Sequence, residues 1–253
     1  MLKTLDSSLM VLRMFTKEKP EWGGRELATE LGMNHTNIYR ILETFEKNRF
    51  ISKDPITKKY SLGYAVWELG MIMYESLNIA SLIRPTLKRL SDNTGESVFL
   101  TVLDKDEAVT LDVIEPENKV KFSVSAGSRS PLYVGASYRS ILAFLQEEIT
   151  EAIIEKGLVQ YTNTTMTDPE KLRKELQLIR DLGWAKSQGE YTEDVIAIAV
   201  PLFDRDEVIG SITVSGPVYR MTDEKTNEYL PLLKEARDET AKTIKRFQLK
   251  LKP

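Results

Sequence analysis

Thr36, Asn37 and Arg40 fall within the first turns of an expected helix, and Asn and Arg are the side chains best shaped to place two hydrogen bonds on one base edge. His35, Tyr39, Thr44 and Lys47 share the outward side of that segment and add donors and acceptors suited to bases and phosphates. Lys53, Lys58 and Lys59 follow on a short ribbon, where point charges suit phosphate oxygens and supply affinity and register rather than sequence choice. Bond-making chemistry has far less to draw on. There is no cysteine and a single histidine, His35, so thiolate or imidazole metal clusters and disulfides are excluded. Gly210-Ser211 and Ser215-Gly216 lack the flanking glycines of a nucleophile elbow or phosphate loop. The paired carboxylates Asp104/Asp106 and Asp204/Asp206 sit in expected hairpin turns, where solvated turn chemistry explains them. The expectation is a binding protein with no cofactor, no metal and no enzymatic activity.

The elements that must position these residues run from Gly23 to Gly63. Arg25 to Leu31 reads as a helix in which the small Ala28 permits a close crossing, and Gly32 supplies a turn at φ > 0. Asn34 caps the next helix, expected to continue to about Phe50, whose stripe of Ile38, Ile41, Leu42 and Phe45 has the 3.6-residue period. Ile51 to Lys53 and Lys59 to Leu62 form a ribbon closed by Asp54 to Lys58. This is a helix-turn-helix followed by a wing. Ahead of it, Leu5, Leu9, Leu12, Met14 and Phe15 predict a first helix ending near Lys19-Pro20. Such modules also mediate protein contacts, His35 can be a solvated helix-start residue, and Tyr39 can pack against the wing instead of facing DNA.

Tyr64 to Ile83 is apolar on too many sides for a solvated linker: Val66, Trp67, Leu69, Gly70, Met71, Ile72, Met73 and Tyr74 must be buried. One continuous helix is expected here, packed either on its counterpart in a second subunit or into a domain core. The next domain opens at Arg84-Pro85 with a short helix ending at Asn93-Thr94-Gly95. Strands are expected at 98–103, 109–114, 120–125, 184–187, 195–203 and 208–215, and helices at 137–145, 150–156 and from Asp168 to Gly183. Thr222 caps a long terminal helix. Two groups of strands separated by helices imply an α+β fold with one antiparallel sheet.

Residues 1–63 carry 11 Lys or Arg and 8 Asp or Glu within a chain of 253 residues and net charge −3, so the positive excess coincides with the helix-turn-helix. The longest run free of charge, Val208 to Tyr219, has 12 residues, short of the roughly 18 needed for a membrane span. No signal peptide is recognisable at the N-terminus, and a cytoplasmic protein is expected.

LATELGMNHTNIYRILETFEKNRFI, KKYSLG, TGESVFLTVLD, SVSAGSRSPLYVGA, TDPEKLRKELQLIRDLGWAKSQGEY and AIAVPLFD with SITVSGPVYR together resemble the isocitrate-lyase-regulator (IclR) family of bacterial transcription regulators, over Leu5 to about Phe247. The resemblance implies a winged helix-turn-helix domain at 1–63, a linker and dimerisation helix at 64–83, and a GAF-like effector-binding and oligomerisation domain at 84–253. It further implies a ligand-responsive regulator, a repressor by expectation, whose partners are a double-stranded, palindromic DNA operator, a small-molecule effector and a second copy of itself, as a homodimer or dimer of dimers. Its DNA-contacting residues would be Arg25, Asn34, His35, Thr36, Asn37, Tyr39, Arg40, Thr44, Lys53, Lys58 and Lys59.

Members of the family commonly carry Ala-Ser-Gly-Lys-Ala where this chain has Ala136-Ser137-Tyr138-Arg139-Ser140. By resemblance the effector site comprises Leu100, Tyr133, Gly135, Ala136, Ser137, Arg139, Gln188 and Ala197. Tyr138 adds bulk at the mouth, and Arg139 either clamps an effector carboxylate bidentately or sits in a surface ion pair. By the same resemblance Gln188 falls near an acidic residue used by some members, Ala197 occupies a site where cysteine or another polar group often contacts ligand, and Asp194 stands where glycine is frequent. An organic acid or aromatic metabolite is the expected ligand, with loss of effector response as the alternative.

Overall fold

A computed structural model describes residues 2–117, 121–122 and 124–251, and the chain divides into two units, Met1–Ser76 and Leu77–Pro253. In the first, α1 (Lys3–Arg13), α2 (Gly24–Glu30) and α3 (His35–Lys47) are followed by β1 (Ile51–Lys53), β2 (Tyr60–Leu62) and α4 (Tyr64–Ser76). Val11, Phe15, Trp22, Leu27, Ala28, Ile38, Ile41, Leu42, Ile51 and Tyr60 make its core. Gly32 takes φ +62 between α2 and α3, as its turn requires. The Asn34 side chain accepts from the Thr36 amide and starts α3.

Two boundaries differ from the sequence expectation. α1 stops at Arg13, several residues short of Lys19-Pro20, because its last turn tightens onto the carbonyls of Val11 and Leu12 and delivers Phe15 to the core. Its Leu5 and Leu9 face outward and are exposed, so only part of the expected stripe is core. α3 stops at Lys47. Arg49 adopts φ +62, the Phe50 amide bonds back to the Phe45 carbonyl at 2.9 Å, and the two phenyl rings meet at 6.0 Å. That is a Schellman closure with its apolar contact, made without the usual glycine. A third strand-like contact was also not anticipated: Trp22 and Tyr60 exchange backbone bonds of 2.9 and 2.8 Å, which fastens β2 to the segment before α2.

The expected single helix over 64–83 is two. α4 ends at Ser76, Asn78 turns the chain in the left-handed region at φ 52, and α5 (Ile79–Leu82) begins within the second unit. Asn is among the few non-glycine residues that tolerate this conformation. Within α4 no residue is buried: Trp67 is 64% and Ile72 66% exposed.

The second unit continues with α6 (Arg84–Thr94), β3 (Ser97–Asp104), β4 (Glu107–Ile114), β5 (Arg129–Ser130), α7 (Ala136–Leu142), α8 (Glu147–Lys156), α9 (Pro169–Leu182), β6 (Ala185–Gln188), β7 (Val195–Asp204), β8 (Glu207–Pro217) and α10 (Asp223–Phe247). The six strands form one antiparallel sheet in the order β5-β4-β3-β8-β7-β6. Asp168 caps α9 by accepting from the Glu170 and Lys171 amides, and Thr222 caps α10. Of the strand expected at 120–125, residues 120 and 123 lie outside the described residues, and Lys121, Phe122, Val124 and Ser125 belong to no strand; the edge is the two-residue β5.

Strand alternation sorts the sheet into two faces. Leu100, Val102, Ile196, Ile198, Ile212 and Val214 pack with Leu87, Leu90 and Leu233 of α6 and α10. Ala199 and Ala185 point the other way, into a second cluster with Ile141 and Leu142 of α7 and Leu172, Leu176 and Ile179 of α9. The mixed α+β architecture, an antiparallel sheet flanked by helices behind a winged helix-turn-helix, follows.

Candidate nucleic-acid interface and effector site

Every residue singled out for DNA contact is exposed: Arg25 on α2, Asn34 at the cap, His35, Thr36, Asn37, Tyr39, Arg40 and Thr44 on α3, and Lys53, Lys58 and Lys59 on the wing. Ile38, Ile41 and Leu42 turn the opposite side of α3 inward. Within this set the roles differ. Asn34 spends its side-chain oxygen on the Thr36 amide at 2.8 Å, and the Thr44 hydroxyl donates to the Arg40 carbonyl at 2.8 Å. These two shape the helix. Tyr39 packs on the start of α2, where a β-carbon added to Gly24 would lie 2.8 Å from its ring, so glycine there lets the two helices seat together. Tyr39 is thus seated on α2. Lys53 lies 5.1 Å from the centroid of the Tyr60 ring, and the phenol raises its pKa above the ordinary lysine value. Arg25, His35, Thr36, Asn37, Arg40 and the tip lysines Lys58 and Lys59 remain, exposed on α2, α3 and the wing.

On the effector side, the structure gathers Gly135, Ala136 and Ser137 at the start of α7 against β6 and β8. The Ala136 amide donates to Ser187 Oγ at 2.9 Å, and the Ser137 and Thr213 hydroxyls lie 2.7 Å apart. Ala197 pairs with Ser187 on one side and Ser215 on the other, which places all three on the α7 face. Tyr133 is buried, its hydroxyl donating to the Val159 carbonyl at 3.0 Å and accepting from the Val159 amide at 2.6 Å. Tyr138 brings its hydroxyl to 3.5 Å from Thr110 Oγ1. Asp194 takes φ +58, a left-handed conformation that glycine adopts without steric cost.

Three expected effector residues are not where the resemblance put them. Leu100 pairs with Ile212 and packs with α6 and α10, on the sheet face away from Ser137. Gln188 pairs with Ile196 and so alternates to the same wrong face, its neighbour Ser187 taking the position beside α7. Arg139 is neither a free clamp nor a surface ion pair. It is 1% exposed and grips Glu190 with both terminal nitrogens, one at 2.8 Å, while also donating to the Lys186 carbonyl at 3.0 Å. Glu190 in turn accepts from the Gly135 amide at 3.2 Å. A carboxylate of the chain itself thus occupies the charged position at the helix start. Its loop is held by Thr165, whose hydroxyl donates to the Glu190 carbonyl at 2.6 Å, and by Thr162, which donates to that of Gly189 at 2.6 Å. Ser187, Glu190, Thr213 and Ser215 lie beside the candidate site and were not named from the sequence. The alternation of Ala185-Lys186-Ser187-Gln188 was a usable signal for Ser187; for Glu190, 51 positions from Arg139, nothing local pointed to the pairing.

Among the described residues no group of three or more acidic or histidine side chains could hold a metal ion, and no helix is long and apolar enough to cross a membrane.

Residues 4–55 match the IclR helix-turn-helix domain and residues 71–242 the bacterial transcriptional regulator IclR C-terminal domain. The chain is 33% identical over 246 residues to the HTH-type transcriptional regulator KipR of Bacillus subtilis, covering 96% of each chain. It is 26% identical over 232 residues to the transcriptional repressor IclR of Escherichia coli, covering 90% of this chain and 85% of that one. The crystal structure of an IclR transcriptional regulator from Alicyclobacillus acidocaldarius matches with a TM-score of 0.86 at 26% identity, covering 96% of this chain and 99% of that one.

Proposed function

We propose that this chain, which belongs to the IclR family of bacterial transcriptional regulators, acts in the cytoplasm as a repressor that binds a palindromic operator as a homodimer or dimer of dimers. It is a DNA-binding regulator and not an enzyme. The observation that carries the reading is the division of α3 into a buried apolar side and an exposed side bearing Thr36, Asn37 and Arg40. A helix so divided inserts its first turns into a major groove, with Lys58 and Lys59 on phosphates. The exposed apolar sides of α1 and α4 support self-association: Leu5, Leu9, Trp67 and Ile72 are too many large apolar groups for a solvated module. Two-fold pairing of the reading helices dictates a palindromic site.

The second unit senses a small organic acid or aromatic metabolite on the α7 face of its sheet. Because Arg139 is committed to Glu190, Ser137, Thr213 and Ser187 hold the ligand through hydroxyls, with Ala197 as an apolar wall. Ligand binding favours one arrangement of the paired subunits, and a coupling of about 1 to 3 kcal/mol changes operator occupancy several-fold or more. One observation favours a second reading, a regulator without an effector: Glu190 already fills the place of an acidic ligand. Selection of bound fragments from genomic DNA, followed by a metabolite screen against the recovered operator, tests both. A recovered palindrome released by a metabolite supports the first; a palindrome bound identically with every metabolite supports the second.

A further inference from the structure

Ile56, at the crest of the β1-β2 turn, is 87% exposed, more than any other large apolar side chain among the described residues. It is not displayed by a loose loop. Asp54 Oδ1 accepts from the Ile56 and Thr57 amides at 2.8 and 2.6 Å, and the backbone closes from Lys58 to Asp54 at 3.0 Å and from Asp54 to Lys59 at 2.8 Å. The Thr57 amide first, then that of Ile56, hold the Asp54 carboxyl below the usual carboxylate range, so the cap stays charged at neutral pH. Pro55 restricts the entry to the crest, and Lys58 completes it at φ +61. The base of the ribbon is equally fixed, since Ile51 and Tyr60 are buried with Ile38, Ile41 and Leu42 of α3. The crest is therefore a rigid extension of the reading helix.

What surrounds Ile56 selects its partner. Thr57, Lys58 and Lys59 follow it directly, and the Asp54 carboxylate is turned onto the backbone amides of the crest, so one apolar group stands next to two ammonium groups. An apolar protein pocket would have to desolvate those charges, whereas a DNA groove offers phosphates at its rims and base edges at its floor. We propose that Ile56 is an apolar wedge that enters the minor groove beside the major-groove site of α3 and favours an easily unstacked pyrimidine–purine step there. This rests on the DNA-binding reading and adds specificity at positions that α3 does not touch.

The test uses the full-length protein and the operator duplex it selects, alongside a second duplex in which only the flanking TA or CA steps are replaced by G·C steps. Affinity and salt dependence are measured for the wild type, Ile56→Ala and Ile56→Leu, with 2-aminopurine at the flanking step reporting unstacking. Wild type and Ile56→Leu should prefer the original duplex and raise the fluorescence. Ile56→Ala should bind that duplex about tenfold more weakly, lose the flank preference and the fluorescence rise, and keep the salt slope. Wild-type behaviour of Ile56→Ala on both duplexes overturns the wedge while leaving DNA binding intact. A normal duplex response combined with lost repression in a reconstituted transcription assay also overturns it, assigning Ile56 to a protein contact. If the wild type selects no duplex, the DNA-binding reading fails first and the wedge with it.

Discussion

Arg40 and Arg139 are chemically alike and do opposite work. Arg40 stands exposed on α3 one turn from Asn37, free to place its planar fork on a guanine edge. Arg40→Ala should weaken operator binding by about 1 to 3 kcal/mol and relax preference at one base pair, which titration against single-base operator variants would reveal. Arg139 is sealed against Glu190. Arg139→Ala leaves that carboxylate buried and unpaired, so urea unfolding should report a loss of about 3 to 5 kcal/mol. Replacing both partners with apolar residues, Arg139→Met with Glu190→Leu, should recover most of it, because the only carboxylate then left without Arg139 is Glu175, 3.8 Å away and partly in solvent. If Arg139→Ala kept its stability and lost only effector response, the clamp expected from sequence would be restored.

Among the elements, those built on local chemistry were legible in the residues. Asn34, Asp168 and Thr222 announce helix starts by side-chain capping, and Asp104 to Glu107 and Asp204 to Glu207 announce hairpins that the sheet register bears out. What depends on distant partners was not. The apolar run of Ser97 to Leu103 is buried on both faces, so alternation there could not tell that Leu100 joins the cluster on the α6 and α10 side and Thr101 faces away. The break at Asn78 and the closure at Arg49 were hidden because neither uses glycine. α4 was legible as apolar on too many sides, and the chain leaves that surface open. Trp67→Glu or Ile72→Glu, substitutions on an exposed helix, should leave the fold intact and shift sedimentation towards the monomer at micromolar concentration. Unchanged mass would place the subunit contact elsewhere.

At the scale of the whole molecule, a mildly acidic protein of net charge −3 is asked to bind a polyanion, and it does so by concentrating positive charge in its first 63 residues. In the proposed mechanism, site choice comes chiefly from α3, affinity from the wing lysines, and control from the sheet face beside Ser137 that carries Thr213 and Ser187. Because coupling between sites is reciprocal, an effector that weakens operator binding must itself bind more weakly to the DNA complex by the same factor. The claim on which all of this depends is that the exposed side of α3 and its wing read double-stranded DNA. The direct measurement is the dissociation constant of the full-length protein for its selected operator and for an unrelated duplex, across a salt series. Log affinity should fall linearly with log salt, with a slope of about −0.9 per phosphate neutralised, and the operator should be preferred about a thousandfold or more at physiological salt. Equal affinity for both duplexes, or binding indifferent to salt, would contradict it.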